Sequence, residues 1–178
     1  MKSVLISIKP KWVDKIASGE KTIEVRKTMP NIETPFKCYI YCTLDGGMKG
    51  DRLVPSGITC GKVIGEFVCD RIAGEGETIR GNACLTVEEL QDYCNGKDIY
   101  CWHISDLKIY DKPKALSEFY IFDSDKRRPS VDCEYKKRGF SHDWCLQTDN
   151  RFCNELLCDK KRIKRPPESW CYVEDLGE

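Results

Sequence analysis

The sequence lacks any long hydrophobic run. Its first apolar stretch extends only from Val4 to Ile8, far short of the ~18 to 20 residues needed to cross a bilayer. A hydrophobic segment followed by a small-residue cleavage site, which would mark a secretory signal peptide, is also lacking. We therefore expect a cytoplasmic protein that neither enters a membrane nor is secreted.

Histidine and net charge are also scarce. His103 and His142 are the only histidines, so few residues could serve as an imidazole base. The 29 basic and 29 acidic residues cancel, yet the segment from Lys126 to Arg165 holds 12 basic and 6 acidic residues. Such a segment is usually a solvated loop, although it can also contact phosphates.

What is present indicates one globular domain. The 178 residues are 40% apolar and 33% charged, a composition typical of soluble proteins. A chain of this length is suited to one core and is too short for two full-sized domains. We expect a single domain over residues 1–178, interrupted by an insertion over residues 123–165.

Hydrophobic periodicity predicts an α+β fold. "SVLISI" and "KTIEVRK" have strand patterns, whereas "PKWVDKIASG" has helical spacing and ends in Gly19. Thr86 and Glu89 form a capping-box pattern at the start of a second helix, and Gly65 marks a bulge or a close backbone approach within a long strand. Five to six mostly antiparallel strands with two short helices favour a small β-barrel.

The insertion is rich in cysteine and lacks sustained periodicity. A loop of this length needs something to hold it together, and a structural zinc ion is one such device. The candidate ligands are Cys133, Cys145, Cys153 and Cys158, with His142 between the first two. No CxxC pair is present, so the alternative is that these are incidental thiols among the 12 cysteines of the chain.

A cysteine nucleophile would need one of the two histidines beside a thiol. Cys101 and His103 are two residues apart, so they lie on the same face of a predicted strand. The pattern favours a core or cross-strand histidine over a catalytic base.

The stretch "GEKTIEVRK", residues 19–27, concentrates charge on one strand face. Alternation places Glu24 and Arg26 together, opposite Ile23 and Val25, and Lys21 enters the strand directly after the helix. Two interpretations follow from the pattern. The three charged residues form a binding site, or they are the solvent face of an antiparallel strand with a weak surface ion pair.

The same stretch resembles the signature of the ASCH (activating signal cointegrator homology) domain of the PUA-like superfamily. That signature is a strand, a short helix and then G-x-K-x-x-E-x-R, which Gly19, Lys21, Glu24 and Arg26 match. "WHISDLKIYDKPKALSEF" and "RPPESWCYVEDL" are similar to bacterial and bacteriophage members. The resemblance covers most of the chain outside residues 123–165.

The resemblance implies a PUA-like β-barrel with the signature residues in a cleft that binds RNA or a nucleotide-like ligand. Lys21, Glu24 and Arg26 would contact the ligand, joined by Lys9 at the end of the first strand. One related branch hydrolyses acetylated cytidine with a lysine, a threonine nucleophile and a glutamate. An amidohydrolase or nuclease acting on modified nucleosides or RNA is therefore the alternative, with Lys21 and Glu24 as acid-base residues, although Glu24 stands where that branch has threonine.

Overall fold

The computed structural model describes residues 2–44, 53–74, 82–122, 139 and 161–177. Within these residues the chain forms eight strands and two α-helices. In chain order they are β1 (Lys2–Ile8), α1 (Pro10–Ala17), β2 (Ile23–Arg26), β3 (Phe36–Cys42), β4 (Val63–Ala73), α2 (Val87–Cys94), β5 (Tyr100–Lys114), β6 (Tyr120–Ile121), β7 (Lys161–Arg162) and β8 (Trp170–Glu174). A 3₁₀ turn, Leu116–Glu118, separates β5 from β6.

All eight strands belong to one mixed sheet with the order β2-β5-β4-β3-β1-β8-β6-β7. Only β1 and β3 run parallel; the other neighbouring pairs are antiparallel. The α+β class, the two helices and the mostly antiparallel pairing are confirmed. The strand count exceeds the expected five to six because the short pairs at the β6–β7 edge carry little sequence signal.

The predicted closed barrel is wrong for the part of the chain that the structure describes. The terminal strands of the sheet, β2 and β7, have no ladder between them. Closure through β1 is blocked because β3 and β8 already occupy its two edges, and a strand has only two hydrogen-bonding edges. The sheet therefore leaves a gap beside β2.

Both helices have the ends that the sequence predicts. Pro10 occupies the first turn of α1, where its missing amide hydrogen costs nothing, and Gly19 turns the chain with a φ of 79°. The Thr86 hydroxyl accepts from the Glu89 amide, and the Glu89 carboxylate accepts from the Thr86 amide. These reciprocal bonds fix the start of α2 opposite β2.

Gly65 lies where β4 and β5 change register. A bulge interrupts the pairing between Val63 and Gly65, and Gly65 then pairs with Ile109. A Cβ atom at this position would overlap the backbone carbonyl oxygen of Lys108. The predicted close backbone approach is therefore confirmed.

The core lies on both faces of the central strands. On β3, Phe36, Cys38, Ile40 and Cys42 face one apolar cluster, whereas Tyr39 and Tyr41 face another. A third cluster packs α2 against the β2–β5 pair, and its buried members are Ile23, Val25, Ala83, Leu90, Ile99 and Cys101. This third cluster holds β2 at the sheet edge.

Among the described residues, no helix has the length and apolar character of a membrane span.

Eight cysteines lie in the described residues, and none of these eight is in a disulfide. Burial raises the pKa of Cys69 to about 12 and that of Cys171 to about 11. A thiol that remains protonated is a poor nucleophile and packs as a small apolar side chain. Cys69 and Cys171 therefore act as apolar packing residues.

Candidate functional site

The charged residues of the "GEKTIEVRK" stretch are buried. Relative exposures are 2% for Lys21, 6% for Glu24 and 8% for Arg26. Glu24 and Arg26 lie on the face of β2 that also carries their cross-strand partners Trp102 and Tyr100, because directly paired residues share a face. The solvent-face interpretation is therefore wrong, and the three residues form a buried charged triad.

Lys21 links the start of β2 to the segment before α2 through its ammonium group. Its Nζ donates to the backbone carbonyls of Ile23 and Ala83, both at 2.7 Å, and lies 3.5 Å from Oε2 of Glu24. The Trp12 ring of α1 lies 5.2 Å away, centroid to Nζ. Lys21 therefore combines two backbone hydrogen bonds with an ion pair to Glu24.

Glu24 bridges the two cations of the triad. Its Oε2 faces Lys21, and its Oε1 lies 2.9 Å from Nη2 of Arg26. Two positive groups thus share one carboxylate, which leaves an excess charge of +1 within the triad. Buried charges are costly unless they are paired and hydrogen-bonded, so this geometry is demanding for a small domain.

Arg26 spans the gap beside β2. Its Nη2 donates to the backbone carbonyl of Ser7 at 2.6 Å, and its Nη1 makes a longer contact of 3.4 Å with Oγ of Ser169. Arg26 therefore connects β2 to the end of β1 and to the segment before β8. Its Nε is buried and has no hydrogen-bond partner among the described residues.

Two further hydrogen bonds cross the same gap. Nε1 of Trp170 donates to Oγ1 of Thr28 at 3.0 Å, and the amide of Asn31 donates to the Tyr172 hydroxyl at 2.6 Å. We call this gap between β2 and β8, crossed by side chains instead of a backbone ladder, the seam. Arg26 is buried at the β2 side of this seam.

Lys9 stands apart from the triad. Its side chain is exposed, and its backbone carbonyl accepts from the amides of Trp12 and Val13 at the start of α1. In the described residues it has no hydrogen bond or ion pair with Lys21, Glu24 or Arg26. It lies two residues beyond Ser7, whose carbonyl holds Arg26.

Sequence reasoning missed Tyr93 on α2. Burial raises the pKa of Tyr93, and Arg26 and Glu24 act on it with opposite signs. The ring also lies 4.9 Å from the Lys27 ammonium. No pattern within α2 marks this residue, since its position depends on how the helix packs against β2.

His103 is a cross-strand residue, as the sequence favoured. Its Nδ1 lies 2.6 Å from Oδ1 of Asp70 on β4, whereas Cys101 is buried in the cluster beneath α2. The structure thus joins His103 to a carboxylate.

The proposed zinc ligands Cys133, Cys145, Cys153 and Cys158, with His142, lie outside the described residues. Within the described residues, no group of three or more His, Cys, Asp or Glu side chains could hold a metal. The final residues of the predicted insertion are described. Of these, Lys161–Arg162 form β7, and Ile163 is buried against the second apolar cluster.

Comparison with known proteins bears on the fold. No protein-family model matches the sequence, and no curated protein matches it. The solved structure of ASCH from Zymomonas mobilis is similar, with 18% identity and a TM-score of 0.55 over 97% of this chain and 87% of that chain. A point-mutant structure of that protein has 22% identity and a TM-score of 0.50 over 65% of this chain and 77% of that chain. This likeness shows an ASCH-like fold for the chain, although in the residues that the structure describes the sheet is not closed into the β-barrel that the resemblance implied.

Proposed function

We propose that this protein binds RNA or a nucleotide-like ligand at the Lys21–Glu24–Arg26 triad. The observation that carries the proposal is the excess positive charge of a buried triad that lies beside the seam. A buried cluster with more cations than carboxylates favours an anion as its further partner. A phosphate would balance the charge, and nucleic-acid backbones and nucleotides supply phosphates in quantity.

Arg26 is the residue we expect to contact the ligand. Lys21 donates to the carbonyls of Ile23 and Ala83 and pairs with Glu24, which suits it to holding β2, the segment before α2 and Glu24 in place. Arg26 retains its Nε–H, and its 3.4 Å contact with Ser169 is long enough to be exchanged for a better acceptor. Arginine donors suit phosphate oxygens in paired, charge-assisted hydrogen bonds.

Exposed cations near the seam extend the proposed surface. Lys9 follows the end of β1, and Lys164 and Arg165 precede the segment that contains Ser169; all three are exposed. They carry no sequence information for a nucleic acid but add affinity through its phosphates. The ASCH resemblance, which implies RNA binding, supports the same function.

Arg26→Ala is expected to weaken binding of fluorescein-labelled single-stranded RNA about 10- to 100-fold, since a hydrogen bond to a charged group contributes ~1.5–3 kcal/mol. Fluorescence anisotropy at several salt concentrations measures both affinity and salt dependence. Lys112→Ala removes one exposed cation from the opposite end of β5 and serves as the matched control.

Lys9→Ala tests the same surface without altering a buried group. For Lys9→Ala we expect a smaller loss of RNA affinity than for Arg26→Ala. The affinity should also depend less steeply on salt than that of the wild-type protein. Equal weakening by Lys9→Ala, Arg26→Ala and Lys112→Ala would mean that RNA senses only overall charge. That result, or absence of binding by the wild-type protein, contradicts the proposal.

A hydrolase acting on modified nucleosides or RNA is the second candidate. The observation that favours it is the 3.5 Å contact between Nζ of Lys21 and Oε2 of Glu24 in a site shielded from solvent, because such a pair can exchange a proton with a bound substrate. We expect turnover of an acylated cytidine or an RNA to be lost in Lys21→Ala and retained in Lys15→Ala, as measured by chromatography of products. Absence of turnover across a panel of both substrate classes rejects this candidate.

A further inference from the structure

Two buried N–H groups beside the seam have no hydrogen-bond partner among the described residues. They are Nε of Arg26 and Nε1 of Trp102, and Trp102 is completely buried. Buried donors in proteins are almost always paired, because an unpaired one costs the free energy of its lost hydration. Both groups therefore need an acceptor that the described residues do not supply.

Arg26 and Trp102 lie on the same face of the sheet. Trp102 is the cross-strand partner of Glu24, and Arg26 follows Glu24 by two residues on β2. Such diagonal neighbours are about 7–8 Å apart, within reach of aromatic and long side chains. The other buried side-chain atom without a partner, Oγ of Ser3, does not join this pair. Ser3 alternates with Val4, which faces the cluster that contains Trp102.

The seam provides a second link between the two donors. The Trp102 ring lies 6.1 Å from the Trp170 ring, centroid to centroid, and the preceding residue, Ser169, contacts Nη1 of Arg26 at 3.4 Å. This contact is the longest of the hydrogen bonds and ion pairs given above for Arg26. It is therefore the contact that an acceptor with better geometry could replace.

The charge of the triad determines which anion matches it. Lys21 and Arg26 share Glu24, so one positive charge is left over. A phosphodiester has a single negative charge and two non-bridging oxygens, which match this charge and the two N–H donors. A terminal phosphate carries about −1.5 to −2 charges at pH 7 and would bring further negative charge toward the Glu24 carboxylate. Such repulsion is strong away from water.

We propose that Nε of Arg26 and Nε1 of Trp102 bind the two non-bridging oxygens of a phosphodiester in a nucleic-acid chain. This inference rests on the proposed function and narrows its ligand from RNA or a nucleotide to a chain with internal phosphates. Trp102 supplies an uncharged donor, so it adds a hydrogen bond without changing the charge balance. Phosphate contacts carry no sequence information, so the site should hold the chain irrespective of its bases.

Adenosine 5′-monophosphate and its methyl ester separate a terminal phosphate from a diester, because they share the base and the sugar. Each competes with fluorescein-labelled single-stranded RNA, and fluorescence anisotropy gives the affinity. We expect the methyl ester to bind about 3- to 100-fold more tightly, the Coulomb range for one charge ~6 Å from a carboxylate. Equal or tighter binding of the monophosphate would overturn the assignment to a diester.

Trp102→Phe keeps an aromatic ring in the core and removes the N–H group. We expect RNA binding to weaken about 10- to 100-fold, the loss for a hydrogen bond to a charged group. Trp170→Phe is the matched control, since its indole N–H already donates to Thr28, and it should weaken binding far less. Circular dichroism checks that both variants are folded. Equal RNA affinity of the wild type and a folded Trp102→Phe protein would overturn the role of Trp102.

The wild-type protein gives a readout that does not depend on a folded variant. In ¹H–¹⁵N NMR spectra, the indole resonance of Trp102 should shift when RNA or the methyl ester is added. Trp102→Phe assigns this resonance, or variants at the other three tryptophans assign it by elimination. A resonance that stays in place while RNA binds would overturn the role of Trp102 and leave that of Arg26 intact. Failure of the wild-type protein to bind RNA would reject the proposed function itself.

Discussion

Replacement of Glu24 by alanine is expected to lower the free energy of unfolding by about 3–5 kcal/mol, the range for a buried ion pair that loses one partner. Lys21 and Arg26 would remain buried without the carboxylate that each contacts. Glu24→Gln keeps the volume and one acceptor oxygen, so we expect an intermediate loss. Urea unfolding followed by circular dichroism gives the three values.

The matched control is Glu20→Ala, four residues earlier. Glu20 also pairs with a lysine, Lys15 at 3.2 Å, but its side chain is 61% exposed. A surface pair of this kind contributes little, because water and salt screen it. We expect no measurable change in the unfolding midpoint. If Glu24→Ala proved as mild as Glu20→Ala, the triad would be open to water in solution, contrary to the geometry described above.

Much of the local structure could be predicted from the sequence because local rules determine it. Pro10 and Gly19 delimit α1, and Thr86 with Glu89 starts α2 through bonds between residues three apart. Such signals lie within one turn and depend little on the rest of the chain. The alternation of Glu24 and Arg26 was predictable for the same reason.

The burial of the triad could not be predicted in this way. Lys21 is covered through a contact with Ala83, 62 residues away, and Arg26 through Ser169, 143 residues away. Whether a charged strand face meets water depends on what packs over it, and alternation does not carry that information. The ASCH resemblance marked these residues as a site, but the contacts that bury them come from the tertiary structure.

The open sheet has the same explanation. Strand patterns predict that strands form, whereas closure depends on which edges are already paired. β1 pairs with β3 and β8, so β2 is left beside a seam that side chains cross. We expect a ligand to approach Arg26 at this seam, which connects the departure from a closed barrel to the proposed function.

Gly65→Ala is expected to cost about 1–3 kcal/mol of stability, the usual range for an over-packed interior. The added methyl group would overlap the Lys108 carbonyl oxygen and lie 3.2 Å from Cα of Ile109. Backbone cannot move aside as a flexible side chain can, so β4 and β5 would have to separate at the bulge. Thermal unfolding measures the loss.

Gly74→Ala is the control for this substitution, since it makes the same chemical change one residue after β4 ends. Among the described residues, a Cβ atom there would have no heavy atom within 4 Å apart from its chain neighbours, and we expect a change within about 0.5 kcal/mol. A mild effect of Gly65→Ala would mean that the β4–β5 register adapts. Because β5 also holds β2 through Glu24↔Trp102 and Arg26↔Tyr100, a shift propagated along β5 should reduce RNA binding as well. A Gly65→Ala protein that unfolds earlier but binds RNA with wild-type affinity while folded would show that the bulge acts on stability alone.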